Sequence, residues 1–155
     1  MTSAAGARAT SGDAAEKTMI QKASLIVGAT FILVGIAGFI PGITTDYDDL
    51  GLAGPDSKAM LLGLFQVSIL HNVVHLAFGV LGVVAAKTID AAKIFLIGGG
   101  LVYLLLFVYG LIVDRDADAN FVPLNNADDW LHLILAIGMI GLGIALDPRR
   151  NRTAR

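Results

Sequence analysis

The run IFLIGGGLVYLLLFVYGLIV, Ile94–Val113, decides the fold. It contains no charged residue, and a helix of this length rises about 30 Å, the thickness of a bilayer's hydrocarbon core. A barrel strand would alternate apolar and polar residues and be about half as long. In lipid every backbone N–H and C=O must find a partner within the protein, and a helix supplies these inside a single segment. Ile94–Val113 therefore reads as a membrane-crossing helix.

Three more charge-free runs read the same way: Ala23–Ile40, Ala59–Ala86 and Trp130–Leu146. The first and last are near the short end of the roughly 17–25 residues that can span, whereas the second is longer than a crossing needs. Hydrophobic residues make up 55% of the 155-residue chain and charged ones 15%, against about 45–50% and about 25% in soluble domains. A chain this small cannot hide that excess in a water-soluble core. The expected fold is an all-α membrane protein, a four-transmembrane-helix bundle built from two hairpins. Its helices are predicted at about 22–40, 60–86, 93–113 and 130–146, within a membrane domain over 19–148. A disordered tail, 1–18, precedes this domain and a basic tail, 149–155, follows it.

Charge distribution sets the expected orientation. Arg8, Lys17 and Lys22 precede the first helix, Lys87 and Lys93 flank the turn between the second and third, and Arg149, Arg150, Arg152 and Arg155 follow the fourth. The other two loops hold Asp46, Asp48, Asp49, Asp56, Asp114, Asp116, Asp118, Asp128 and Asp129, with only Lys58 and Arg115 as cations. Basic residues close to helix ends stay in the cytoplasm. The N-terminus and C-terminus are therefore expected to be cytoplasmic and the acidic loops outside, in a multi-pass protein of a plasma (inner) membrane. The first run follows basic residues as a signal peptide would, but no convincing small-x-small cleavage site precedes Pro41, so it is read as a retained helix. There is no cysteine, which excludes disulfides, thiolate metal sites and a cysteine nucleophile. Nothing points to nucleic acid; the bilayer is the expected partner, and a homo-oligomer or larger membrane complex is compatible with the chain.

Small residues form stripes. Ser24, Gly28, Phe31, Gly35, Gly38 and Gly42 follow steps of four and three, as do Ser68, Asn72, His75, Gly79, Gly82 and Ala86, and also Gly99, Tyr103, Leu106 and Gly110. Such stripes let helix backbones approach closely in lipid, and their heptad period implies a left-handed bundle. A short internal repeat accompanies them: Asn72-x-x-His75-Leu76 matches Asp129-x-x-His132-Leu133. Two hairpins of like orientation would be related by an axis along the membrane normal.

Polar side chains inside such helices are costly and mark candidate sites. Ser68, His71, Asn72, His75, Asp129 and His132 form the predicted polar cluster. His71 and His75 share a helix face. Asn72 and Asp129 each precede a histidine by one turn, where they could fix its tautomer. Counting from Lys87 and Asp147 places His75 about 18 Å and His132 about 22 Å from the cytoplasmic ends, so the cluster belongs to the outer half of the membrane. That leaves residues 59–67 either to extend the second helix or to lie on the outer surface. The simplest role for the cluster is hydrogen bonding that locks the helices, at about 0.6–2 kcal/mol per contact. It could instead bind haem b or a divalent metal through His71, His75 and His132, or line a proton or ion path. The outer aspartates lack the spacing of a calcium loop, and Gly98–Gly100 lacks the Lys and Ser/Thr of a phosphate loop. No cofactor is predicted, and a membrane accessory or small-molecule-sensing role is expected in preference to catalysis.

The segments FIPGIT (Phe39–Thr44), LFQVSILHNVVHL (Leu64–Leu76), VPLN (Val122–Asn125) and DDWLHL (Asp128–Leu133) resemble an uncharacterised bacterial family, domain of unknown function 4383. The resemblance covers nearly everything from the first helix to the fourth. It implies a four-helix membrane protein and brings no activity with it. It also implies asparagine at the position where this chain has Ser68.

Overall fold

The computed structural model describes residues 16–150 apart from residue 118. The expected tails at 1–15 and 151–155 lie outside it, with Arg8, Arg152 and Arg155, as does Asp118. Four helices carry the fold: α1 (Met19–Ala37), α2 (Ile69–Ala85), α3 (Ile89–Ile112) and α4 (Asn126–Ala145). Three of them, α1, α3 and α4, are long and apolar enough to cross a membrane. With 17 residues, α2 is the shortest, about 25 Å long.

Each hairpin is antiparallel and glycine-packed. A Cβ placed on Gly28 of α1 would lie 2.7 Å from the carbonyl oxygen of Gly79 and 2.7 Å from the Val83 nitrogen, both on α2. Lower down, Ser24 donates to the Gly82 carbonyl at 2.8 Å, and Gln21 donates to the Ala86 and Lys87 carbonyls at 3.1 and 3.0 Å. Rising numbers on α1 thus meet falling numbers on α2. In the second hairpin a Cβ on Gly100 would come within 3.0 Å of the Ala136 carbonyl oxygen, and Lys93 pairs with Asp147 at 2.6 Å. The hairpins meet over one core drawn from all four helices, in which Phe31, Phe95, Leu96, Tyr103 and Met139 are buried and Phe78 packs against them.

The segment before α2 departs from the sequence-based reading. Residues 60–68 do not extend the helix. Met60–Leu61 (β2) pairs antiparallel with Thr44–Thr45 (β1) and with Phe65–Gln66 (β3), giving a three-stranded sheet in the order β1-β2-β3. The turn between β2 and β3 needs the left-handed region at Leu62 (φ 55°) and Gly63 (φ 66°), and glycine takes it without strain. Ala59, Leu61 and Val67 then form a small core with Val34 and Ala37 of α1. Short apolar runs do not separate strand from helix by periodicity, so the sequence left this choice open. Ser68 caps α2, its hydroxyl accepting from the His71 N–H at 3.1 Å; asparagine would cap equally well. Helix boundaries move for the same reason elsewhere. Thr88 caps α3, which shortens the turn after α2 to residues 86–88, and Asn125 caps α4, which brings Asp128 and Asp129 into its first turn.

Charges segregate to the two ends. Lys17, Lys22, Lys87, Lys93, Arg149 and Arg150 gather where α1 begins, where α2 turns into α3 and where α4 ends; the sheet and Asp46, Asp48, Asp49, Asp56, Asp128 and Asp129 lie at the opposite, acidic end. The close approach of α1 and α2 has a direct test. Gly28→Ala is expected to destabilise the protein by about 1–3 kcal/mol, the cost of overpacking a filled interior. Gly138→Ala and Gly141→Ala, where nothing lies within 4 Å of the added Cβ, are expected to be neutral or slightly stabilising. Thermal unfolding in one detergent compares the three, and equal melting of all three variants would refute the packing account.

Candidate functional site

The three histidines come together at the acidic end of the helices. Ser68 sets the first turn of α2, which puts His71 and His75 on one face with their rings stacked at 4.3 Å and 14°. The Nδ1 of His75 lies 3.1 Å from the carbonyl oxygen of His71. A carbonyl can only accept, so Nδ1 carries a proton, and in the neutral ring Nε2 is then the acceptor. His132 arrives from α4, 3% exposed, with its ring 5.3 Å from that of Tyr103. Its Nδ1 is buried with no hydrogen-bond partner among the described residues.

These histidines stand between two cavities and line both. The larger, about 300 Å³, is lined by His71, His75, His132, Tyr103 and Ser68 among others, and almost all of the surface it exposes is apolar. Its mouth opens between α2 and α3 beside the exposed Leu70, Val74 and Val102, and Phe121 and Val122 cover it from the α3–α4 connection. The smaller, about 100 Å³, lies between α1 and α4 against Val34, Leu131 and Leu135. There the segment that carries the sheet borders the space with Leu61, Leu62, Phe65 and Val67, of which Leu61 and Val67 are buried. Asp128, which also lines it, accepts from the backbone N–H of Gln66 at 3.0 Å.

Two members of the predicted cluster point elsewhere. Asn72 is 1% exposed and lies against Gly38 of α1, where a Cβ would overlap its amide. Asp129, 3% exposed, lies against Gly110 of α3 in the same manner and pairs with Arg115 at 2.8 Å. Neither orients a histidine as the sequence suggested; the His71 carbonyl does so for His75. Arg115 also donates to the Leu124 carbonyl and to Asn126, both at 2.9 Å, so one guanidinium ties the α3–α4 connection to the start of α4.

The short repeat seen in the sequence extends through the whole site. One constant offset takes Gly28 to Gly100, Phe31 to Tyr103, Val34 to Leu106 and Gly38 to Gly110; a second takes His71 to Asp128, Asn72 to Asp129, Val74 to Leu131, His75 to His132 and Gly79 to Ala136. The contacts repeat with the residues. Gly28 faces Gly79 as Gly100 faces Ala136, and Gly38 faces Asn72 as Gly110 faces Asp129. Phe31 packs on His75 at 5.4 Å as Tyr103 packs on His132 at 5.3 Å, and Phe31 and Tyr103 stack on each other at 5.5 Å where the halves meet. Val74 and Leu106 line the larger cavity, and their counterparts Leu131 and Val34 line the smaller, so the two cavities are equivalent places in the two halves.

The site offers stacked rings, one imidazole acceptor fixed by its backbone bond, and a phenol. Among the described residues no three His, Asp or Glu groups are placed to hold a metal ion. Sequence reasoning had placed Phe31 and Tyr103 in packing stripes without seeing that they touch the histidines, and it had read Asp128 only as loop charge. The offset between the two Asx-x-x-His segments, applied along the rest of the chain, would have found all three.

No curated protein and no solved structure shows a significant match to this chain. The family model described as "Domain of unknown function (DUF4383)" matches residues 21–145, and the chain belongs to that family.

Proposed function

We propose that this protein crosses a bacterial inner membrane four times as a helix bundle, with both termini cytoplasmic, and acts there as an accessory protein that senses a small molecule. The gathering of six lysines and arginines at one end supports the orientation. With 17 residues, α2 is at the lower limit for a crossing, and its packing along α1 supports counting it as the fourth. The observation that carries the sensing role is a cavity of about 300 Å³ that opens between α2 and α3 and is lined by His71, His75 and His132.

Haem or metal binding through His71, His75 and His132 is the weaker reading. Bis-histidine haem ligation needs two imidazoles on opposite faces of an open gap, whereas His71 and His75 stack on each other and His132 packs on Tyr103. A proton path has one observation in its favour, the position of the histidines between two cavities.

Three measurements separate these readings. A cytoplasm-active reporter fused after Arg155 is expected to be active, and one inserted at Gly54 inactive; the reverse pattern overturns the orientation. Protein extracted in mild detergent is expected to release a near-stoichiometric small molecule on denaturation, with recovery falling at least about fivefold in His132→Ala, the loss of about one hydrogen bond. A ligand-free sample ends the sensing reading, and a Soret band or stoichiometric metal replaces it with the redox one. Proteoliposomes are expected to show no proton flux above empty vesicles; flux abolished by His75→Ala and His132→Ala would establish the path instead.

A further inference from the structure

We propose that the cleft between α2 and α3 takes up, sideways from the lipid, a neutral ring-headed lipophile bearing ring oxygens, the chemistry of an isoprenoid quinone. This rests on the small-molecule reading above and gives its ligand a class. Three observations define that class.

First, among the described residues no lysine, arginine, aspartate or glutamate lines the larger cavity. An ionised head would enter without a counter-charge, and an unpaired charge in apolar surroundings is strongly disfavoured. Second, the polar groups present suit a neutral oxygen-substituted ring. The Tyr103 hydroxyl can donate to a ring carbonyl, and Nε2 of His75 can accept from a ring hydroxyl. The stacked His71 and His75 imidazoles add flat surfaces beside them. A volume near 300 Å³ is about twice that of a cavity that holds benzene, enough for a substituted ring but not for its tail. The tail has an exit, since Val74 and Val102 at the mouth are 52% and 48% exposed on a face that is apolar throughout.

Third, the other half of the molecule shows what such a place accepts. The equivalent site between α1 and α4 is narrowed to about 100 Å³ by the chain itself, with Leu61, Phe65 and Val67 as the apolar body and the Gln66 N–H as the polar group. That N–H meets Asp128, the counterpart of His71. Hydrocarbon with one neutral hydrogen-bonding group thus occupies one of the two equivalent sites. The α2–α3 site is bordered instead by Phe121 and Val122 of the α3–α4 connection, with about 300 Å³ left open, and exchanges the acidic Asp128 for a histidine and Phe31 for Tyr103, which adds a hydroxyl.

The test uses the full chain in nanodiscs, titrated with a decyl-tailed benzoquinone, with decanoic acid and decane as comparison probes. Saturable binding of the quinone at one per chain is expected, with at least tenfold preference over either comparison probe. Tyr103→Phe, which copies the residue of the other half, is expected to weaken it about three- to tenfold, the loss of one hydrogen bond. Val74→Trp, which blocks the mouth from an exposed position, is expected to abolish it while leaving the ligand-free melting temperature unchanged. Decanoic acid bound at this mouth without the quinone overturns the ligand class and leaves the sensing reading standing. Quinone binding indifferent to Val74→Trp places the probe on the outer surface and overturns the site. Absence of binding by all three probes overturns the inference, and joined to a ligand-free native extract it removes the sensing reading as well.

Discussion

The approach of Gly28 to Gly79 and Gly82 is the constraint on which the rest depends. Three atoms of the α2 backbone lie within 3 Å of where a Cβ on Gly28 would stand. Packing this close replaces side-chain contact with backbone contact, and it lets a serine hydroxyl reach the Gly82 carbonyl across the interface. Dispersion between atoms is weak singly and falls off within an ångström of extra gap, so such contact has to be continuous to hold two helices together. The stripe Ser24, Gly28, Phe31 and Gly35 is buried along its length. Its large member, Phe31, meets Phe78, His75 and Tyr103. The tight hairpin seam and the aromatic centre are parts of the same stripe.

From that centre the polar groups divide into two kinds. Asn72 and Asp129 are directed into the hairpin seams, each against a glycine, and Asp129 is held by Arg115. They position helices. The Arg115 guanidinium, bound to Leu124, Asn126 and Asp129, fixes the connection that also carries Phe121 over the larger cavity. His71, His75 and His132 face the cavities instead, and their contacts are mainly with rings. A polar group that holds structure together is expected to find its partner within the protein. Gln66, Ser57 and Asn125 around the sheet do, whereas Asn72 Nδ2, Asp129 Oδ1 and His132 Nδ1 are each buried without a partner among the described residues, so partnering alone does not set the histidine apart from the seam residues.

Helix number and order, the glycine stripes and the grouping of histidines were legible in the sequence because each depends on local composition or helical spacing. Residues 60–68 were not. A mostly apolar run broken by Gly63 and Gln66 suits helix and strand alike, and its fate was decided by pairing with Thr44–Thr45 and by burial against Val34 and Ala37, contacts distant in the chain. The cluster was half legible for a similar reason. Spacing places Asn72 beside His75 along the helix, but it does not say that Gly38 leaves a space into which only the asparagine turns. Tyr103 was read as packing because a stripe of small and aromatic residues looks the same whether or not its phenol borders a cavity.

The departures from internal symmetry carry the rest of the argument. Two equal halves would have two equal cavities, and most positions that set the helices apart are matched: glycine with glycine at 28 and 100 and at 38 and 110, histidine with histidine at 75 and 132. The differences fall at the cavity walls. His71 answers to Asp128 and Tyr103 to Phe31, and only the first hairpin carries a sheet in its connection. In the closed half every change favours burial: a carboxylate that accepts from Gln66 and Asn125, and a phenylalanine without a hydroxyl to satisfy. In the open half Tyr103 adds a hydroxyl where the other half has Phe31, and an imidazole, His71, stands in place of the carboxylate, beside a cavity of about 300 Å³ that Phe121 and Val122 only partly cover. Stability alone would favour closing both sites, since an apolar plug fills space and a buried hydroxyl or imidazole needs a partner. Local rules of good packing are broken in natural proteins chiefly where something has to bind. By that reasoning the smaller cavity belongs to the scaffold, and the larger, lined by His71, Tyr103 and His132, is the place where the proposed ligand would bind.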